Sequence, residues 1–212
     1  PSIIPNTGRG NVDFANLGTW LGWTWGYGVK LFDGRMCPHA LAPKFVKGIG
    51  DYYKLMTKYG PPDASSLDFT GAEQQFDAGR VAMEFDNSGF GTVYTDPSIS
   101  KVARKVGFTI PKGPVGNPLQ WTYTSGLGIS RYSKHKALAW LFLQWRVSDQ
   151  LTRKEMLDGR MDVPNLHVTG SAQYKQIAKE KHLTAYTSLL RQSEREITIK
   201  YWPDTPDFSN LG

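Results

Sequence analysis

The chain has 212 residues, of which 40% are hydrophobic and 21% are charged, and its formal net charge is +6. This composition is ordinary for a globular protein with a real core. The sequence contains no run of about eighteen apolar residues, so it predicts no membrane-spanning helix. The basic residues are scattered and do not cluster with aromatic neighbours, which argues against nucleic-acid binding. A single cysteine, Cys37, excludes an internal disulfide.

Helices and strands are predicted to alternate along the chain. Apolar residues that recur every three or four positions indicate helices, and short runs rich in β-branched or alternating residues indicate strands. The predicted helices are residues 13–24, 43–59, 70–79, 134–146, 149–158 and 171–193. The predicted strands are residues 80–85, 105–110, 122–130 and 197–201. This alternation favours an α/β fold with a central sheet.

Specific residues mark several of the predicted helix ends. The sequence Thr-Gly-Ala-Glu at 70–73 has the form of a capping box, and Gly79 suits a left-handed residue that ends the same helix. Ser133 and Ser148 are predicted to cap the two helices that follow them, and Gly159 to end the second.

Ten short motifs stand in an order that is typical of one family. The most informative are Phe-Asp-Ala-Gly-Arg-Val-Ala-Met at 76–83 and the apolar helix at 133–145 that begins Ser-Lys-His-Lys. The others lie at 26–28, 32–33, 38–43, 100–101, 106–107, 111–116, 126–129 and 203–206. Together they resemble the bacterial extracellular solute-binding proteins of the maltose-binding type, which serve ATP-binding-cassette (ABC) importers.

The resemblance implies a type II periplasmic-binding-protein fold, in which two α/β lobes joined by a hinge hold the ligand between them. It assigns residues 1–121 to the C-terminal lobe, 122–168 to a segment that crosses into the N-terminal lobe, and 169–212 to the return. The sheet of the N-terminal lobe has no counterpart in this sequence, so we expect a truncated fragment.

The apolar helix at 134–146 has two expected environments. Trp140 and Trp145 lie at helical spacing among leucine and phenylalanine, which is typical of a core. Without the partner sheet, however, the face formed by Ala137, Leu141, Phe142 and Trp145 would be exposed. We therefore expect this face to pack against another copy of the chain or to rearrange.

A sugar or polyol site needs flat aromatic rings and a few fixed polar groups. Arg9 lies in a glycine loop, and residues 86–90 follow a predicted strand, where ligands gather in α/β sheets; an ordinary solvated turn is the alternative for both. The resemblance adds aromatic positions near the cleft and at the hinge, and an arginine near Pro164 that this sequence lacks. The predicted ligand-binding residues are Arg9, Trp25, Tyr27, Asp86, Ser88, Phe90, Trp121, Trp202 and Asp204.

The resemblance implies a binding protein and not an enzyme. It would close about its hinge on a carbohydrate or polyol and present it to membrane permease subunits, in the periplasm or outside the cell. No leader begins the chain, so a secretion signal is absent or already removed. The histidines lack metal-ligand spacing and no catalytic motif occurs, so no metal or cofactor is expected. A carbohydrate-active hydrolase that uses Glu84, Asp86 or Asp204 is one alternative, and a purely structural or interaction module is another.

Overall fold

The fold is described from a computed structural model over residues 3–12, 14–29, 32–33, 35, 37–120 and 126–196, with side chains at all of these except 14, 15 and 194–196. The helices of this part are α1 (Phe14–Trp25), α2 (Pro43–Tyr59), α3 (Phe69–Asp77), α4 (Gly91–Tyr94), α5 (Lys136–Arg146), α6 (Asp149–Leu157), α7 (Leu166–Thr169), α8 (Ala172–Glu180) and α9 (Thr184–Glu196). Its strands are β1 (Thr7–Gly8) and β2 (Glu84–Phe85), and 3-10 turns occupy Ala64–Ser66 and Ser88–Phe90.

Several predicted helix ends are confirmed. Helix α2 begins with Pro43 in its first turn, where the missing amide proton costs nothing, and it ends before Gly60. Gly79 has a φ of +69°, the left-handed conformation expected after α3. The Ser148 side chain accepts a hydrogen bond from the Leu151 amide over 3.2 Å, so it caps α6 as predicted.

Two predicted caps are wrong by a short distance. The Asp68 carboxylate accepts from the Gly71 amide over 2.7 Å, so Asp68 caps α3, and Thr70 already lies in the first turn. Ser133 accepts from the His135 amide over 3.1 Å, but α5 begins only at Lys136. In both places the residue chosen from the sequence is a good cap by type, and the backbone turns into the helix at another position.

The long helix predicted over 171–193 is two helices, α8 and α9. His182 has a φ of +58°, and the Leu183 amide donates to the Ala178 carbonyl over 2.7 Å. This left-handed residue ends α8 in the way that glycine usually does. Leu183 then turns into the core, so burial of its side chain accompanies the break.

The sheet of the described residues is smaller than predicted. Strands β1 and β2 pair in parallel, with Thr7 opposite Glu84 and Gly8 opposite Phe85, and a single parallel bridge joins Ile4 to Val81. The predicted strand at 105–110 and the described part of the one at 122–130 form no ladder, because no strand lies beside them within the described residues. Residues 121–125 and the strand predicted at 197–201 lie outside that part.

Two apolar clusters support this architecture. The first packs Tyr52, Met56 and Ala64 beneath Trp20 and Trp23 of α1. The second is larger and forms where α6 to α9 meet. Its buried members are Met156, Met161, Val163, Val168, Tyr174, Ile177, Ala178, Leu183 and Tyr186. Phe108 packs against it, with its ring centroid 5.3 Å from that of Tyr186, so the second cluster reaches back to the segment between α4 and α5.

Helix α5 packs poorly in this chain. Leu138, Trp140, Leu141, Phe142 and Trp145 are each between 51% and 65% exposed. The predicted exposure of this helix is therefore confirmed, and the expectation that Trp140 and Trp145 are core residues is wrong for the chain alone, since no described segment covers them. None of the described helices combines the length and hydropathy needed to cross a bilayer.

Candidate ligand-binding site

The carboxyl ends of β1 and β2 bring Arg9 and Asp86 together. Each residue directly follows its strand, and parallel strands end at the same edge of a sheet. The Arg9 Nε donates to Asp86 Oδ2 over 2.8 Å and to Oδ1 over 3.1 Å, and a second guanidinium nitrogen also donates to Oδ1. Arg9 and Asp86, which were predicted separately as ligand-binding residues, thus form one bidentate ion pair.

The Arg9–Asp86 pair is fixed from several sides. Its two side chains are only 7% and 2% exposed. The Arg9 guanidinium lies 5.4 Å from the centroid of the Phe69 ring, and the Tyr52 hydroxyl donates to the Arg9 carbonyl over 2.6 Å. A pair this enclosed holds the ends of both strands, because either charge alone would be buried without a partner.

A row of aromatic rings runs from the ion pair along α4. Phe69 and Phe90 stack with centroids 6.0 Å apart and planes within 13°. Phe90 also contacts Tyr94 at 6.2 Å, and Phe76 meets Tyr94 edge-on at 5.0 Å. Phe69 is exposed and Phe90 partly so. The two rings therefore offer an apolar surface of the kind that binds the CH face of a sugar or polyol.

Glu84 lies on β2 beneath this edge, and both of its carboxyl oxygens are closed to solvent. Burial raises its pKa to about 8, the nearby Tyr94 hydroxyl lowers it in part, and the charge of Asp86 raises it further. Neither carboxyl oxygen has a hydrogen-bond partner of normal geometry among the described residues. With Asp86 tied to Arg9, the two carboxyl groups proposed for a hydrolase are not presented to a substrate, which weighs against that alternative.

The loop after β2 turns at Asn87, whose side chain accepts from the Gly89 amide over 2.7 Å. Asn87 and Ser88 are exposed, and the Ser88 carbonyl accepts from the Tyr186 hydroxyl over 2.6 Å. Both residues border a cavity of about 260 Å³. The loop thus combines polar side chains that are open to solvent with a backbone that the Tyr186 hydroxyl holds in place.

Trp25 and Tyr27 lie at the end of α1 and beyond it. The Tyr27 hydroxyl donates to Asp51 over 2.8 Å, and Lys47 stands 5.7 Å from the Tyr27 ring centroid. Burial raises the pKa of Tyr27, and its bond to Asp51 raises it further. None of the contacts described for Tyr27 involves Arg9, Asp86 or the loop. The Trp25 carbonyl accepts from the Asn117 side chain over 3.1 Å.

Sequence reasoning missed other residues that build this edge. Trp23 packs against Tyr52 and Phe85, each at 5.6 Å between ring centroids, although Trp25 seemed the better candidate. Phe69 follows Asp68, the capping residue of α3 that the sequence prediction also missed. Trp121, Trp202 and Asp204 lie outside the described residues. Within them, no three His, Cys, Asp or Glu side chains are placed to hold a metal ion.

Comparison with known proteins gives consistent matches. The sequence model of a family described as bacterial extracellular solute-binding protein matches residues 5–151. A mannitol-binding protein of Pseudomonas aeruginosa is 33% identical over 123 residues, which are 58% of this chain and 28% of that protein. An erythritol/L-threitol-binding protein of Mycolicibacterium smegmatis is 25% identical over 186 residues, covering 84% of this chain and 39% of that protein.

A solved structure shares the fold as well. The ABC-transporter solute-binding protein of Agrobacterium vitis S4, crystallised with bound D-mannitol, is 27% identical and superposes with a TM-score of 0.75. The match covers 87% of this chain and 46% of that one. The chain therefore spans less than half the length of each of these proteins.

Proposed function

Because the chain belongs to the family of bacterial extracellular solute-binding proteins, we propose that it supplies one face of a polyol-binding site in the receptor of an ABC importer. The ligands named for the three proteins compared above are polyols: mannitol for two of them and erythritol or L-threitol for the third. A receptor of this kind works outside the cytoplasm, closes about a hinge on its solute and presents it to the membrane permease. It binds without changing the solute chemically.

The observation that carries the proposal is the edge formed by β1 and β2. The Arg9–Asp86 pair fixes the loop, so Ser88 is held with its polar group open while Phe90 presents an apolar ring. A polyol has hydroxyl groups on a hydrocarbon chain, and it needs both kinds of surface. We assign Ser88 and Phe90 to ligand contact and the ion pair to positioning.

The remaining predicted contacts stay predictions. Trp25 and Tyr27 fall on the α1 side of the fold. The family resemblance implies that Trp121 lies at the hinge and that Trp202 and Asp204 flank a segment that returns along the cleft. The division into 1–121, 122–168 and 169–212 is also proposed on the family plan alone. Under that plan the rest of a full-length receptor supplies the opposite face of the site.

The affinity of this chain alone tests the shared site. If half the contacts of a micromolar site, worth about 8 kcal/mol, are made elsewhere, about 4 kcal/mol remains, which is a millimolar dissociation constant. We expect NMR titration of the chain with D-mannitol and with erythritol to show saturable millimolar binding. Phe90→Ala is expected to weaken it roughly threefold to tenfold through loss of the ring contact.

The matched control is Phe142→Ala, which removes an exposed ring on α5 and is expected to leave the titration unchanged. Binding tighter than about 10 µM would contradict a shared site, and no saturable response to either polyol would contradict the function itself. Chromogenic glycosides are expected to stay intact. Hydrolysis that Asp86→Asn abolishes would instead establish the hydrolase.

A further inference from the structure

The cavity beside the loop has the size and lining of a small-solute site. Its volume of about 260 Å³ lies just below the range of roughly 300–1,000 Å³ usual for small-ligand pockets. It is open between the loop, the segment 161–164 and helix α9. The polar residues that border it are Asn87, Ser88, Asp162, Thr169, Arg191 and Ser193. A solute of a few carbon atoms fits this space, whereas an oligosaccharide exceeds it.

Two buried tyrosines hold the walls of the cavity in place. The Tyr186 hydroxyl donates to the Ser88 carbonyl over 2.6 Å, and the Tyr174 hydroxyl donates to the Met161 carbonyl over 2.7 Å. Tyr186 is also pressed against Gly91, where a Cβ atom would lie 2.1 Å from its ring. Walls fixed in this way need little reordering when a ligand enters, which favours affinity.

The cavity contains two opposite charges that are not used within the described fold. Asp162 and Arg191 both line it. Neither charged side chain makes a hydrogen bond or an ion pair with any of the described residues, and the two side chains are not paired with each other. A carboxylate only accepts hydrogen bonds and a guanidinium only donates them. A hydroxyl group does both, so a neutral vicinal diol matches the pair, and bonds to charged groups are the stronger kind.

We propose that this cavity takes one end of the polyol chain, and that Asp162 and Arg191 are the contacts that select for adjacent hydroxyl groups. The assignment rests on the proposed function, and it extends the ligand from Phe90 and Ser88 around the loop towards α9. Val163 and Leu190 line the same cavity and face the CH groups of the chain. The loop is then shared between the aromatic surface and the cavity.

Substitution of the two charges tests the assignment on the whole chain. Asp162→Asn and Arg191→Gln keep the shape of each side chain and remove its charge. Each is expected to weaken binding of D-mannitol and of erythritol about tenfold or more in NMR titrations, the size usual for a lost hydrogen bond to a charged group. The matched controls are Asp158→Asn at the end of α6 and Lys179→Ala on α8, both exposed and both expected to bind as the wild type does.

A thiol in the cavity tests the location separately. In a Cys37→Ser background, Ser193→Cys places a thiol at the cavity wall, and D-mannitol is expected to slow its alkylation by iodoacetamide. The same thiol at Ser188, which is exposed on α9, is expected to react at one rate with or without the polyol. Slowed alkylation at 193 with weakened binding in both charge variants supports the assignment.

The outcomes separate this assignment from the function on which it rests. If the wild type binds polyol but both charge variants bind equally well and the thiol at 193 is not protected, the cavity assignment is wrong and solute binding stands. If the wild type shows no saturable response to either polyol, the proposed function is wrong and the assignment falls with it.

Discussion

The loop after β2 has two sides that differ in how they treat charge. On one side Asp86 is held in a bidentate pair by Arg9, and both side chains are almost inaccessible. On the other side Asn87 and Ser88 border a cavity in which Asp162 and Arg191 make no ion pair with the described residues. An arginine and an aspartate thus occur once as a buried ion pair and once as unpaired side chains that line a cavity.

The difference indicates different roles. A buried pair that satisfies itself contributes order, and little of its hydrogen-bonding capacity remains for a solute. Charged side chains that are unpaired in a preformed cavity keep that hydrogen-bonding capacity, and a solute with matching polar groups can use it. We therefore read the Arg9–Asp86 side as the support of the site and the Asp162–Arg191 side as a surface that recognises the solute.

Loss of the closed pair is expected to have the largest effect. Arg9→Ala leaves the Asp86 carboxylate buried without its partner, and breaking such a pair typically costs about 3–5 kcal/mol of unfolding free energy. Urea unfolding followed by tryptophan fluorescence measures this. Removing both partners, in Arg9→Ala with Asp86→Ala, is expected to cost less than the sum of the two single changes, since no charge is then stranded.

The control for this comparison is an exposed pair. Lys47 and Asp51 are four residues apart on α2 and form an ion pair that is open to solvent. Lys47→Ala is expected to change stability by less than about 1 kcal/mol. Equal losses from Arg9→Ala and Lys47→Ala would show that the buried pair is not a support, and the distinction between the two sides of the loop would fail.

The pH dependence of stability is expected to come next in size. The pKa of Glu84 is raised by burial to about 8 in the folded chain, whereas an unfolded glutamate titrates near 4.3. The folded state therefore holds a proton that the unfolded state releases, and stability falls as the pH rises between these two values. Below about pH 4.3 the stabilisation that comes from the protonated Glu84 is fully present, and above about pH 8 it is completely lost.

Glu84→Gln removes this titration while keeping a neutral side chain of the same shape. We expect the variant to match the wild type below about pH 4 and to be more stable by a few kcal/mol near pH 9. Thermal unfolding at a series of pH values checks this, and the difference between the two proteins removes the contribution of the histidines. Parallel curves for both proteins across the whole range would mean that Glu84 is ionised in the folded chain.

Much of this fold was predictable where local chemistry decides it. Pro43 and Gly60 bound α2 by their backbone chemistry alone, and the motifs at 76–83 and 133–145 predicted the α/β solute-binding fold that the family match and the A. vitis structure confirm. The cap of α3 was less predictable, because Asp68 and Thr70 are both good caps and the tertiary position of the helix chooses between them.

The site was predictable only in part, for a physical reason. Arg9 and Asp86 could each be proposed from their loops, but only the parallel pairing of β1 with β2 makes them one pair. Asp162 and Arg191 carry no spacing signal, because their proximity depends on how α9 packs after the break at His182. That break was itself missed, since a left-handed histidine has no sequence pattern as clear as that of glycine.

The smallest expected effect concerns the wall of the open cavity. Tyr186→Phe removes the hydroxyl that binds the Ser88 carbonyl but keeps the ring against Phe108, and it is expected to cost about 1 kcal/mol of unfolding free energy. Tyr174→Phe does the same on the opposite wall, while Tyr53→Phe alters an exposed ring on α2 and is expected to cost nothing measurable. If the cavity is preorganised for a solute, the first two variants also bind D-mannitol more weakly than the third. Unchanged polyol binding with reduced stability would show that the two tyrosines stabilise the fold without shaping the site.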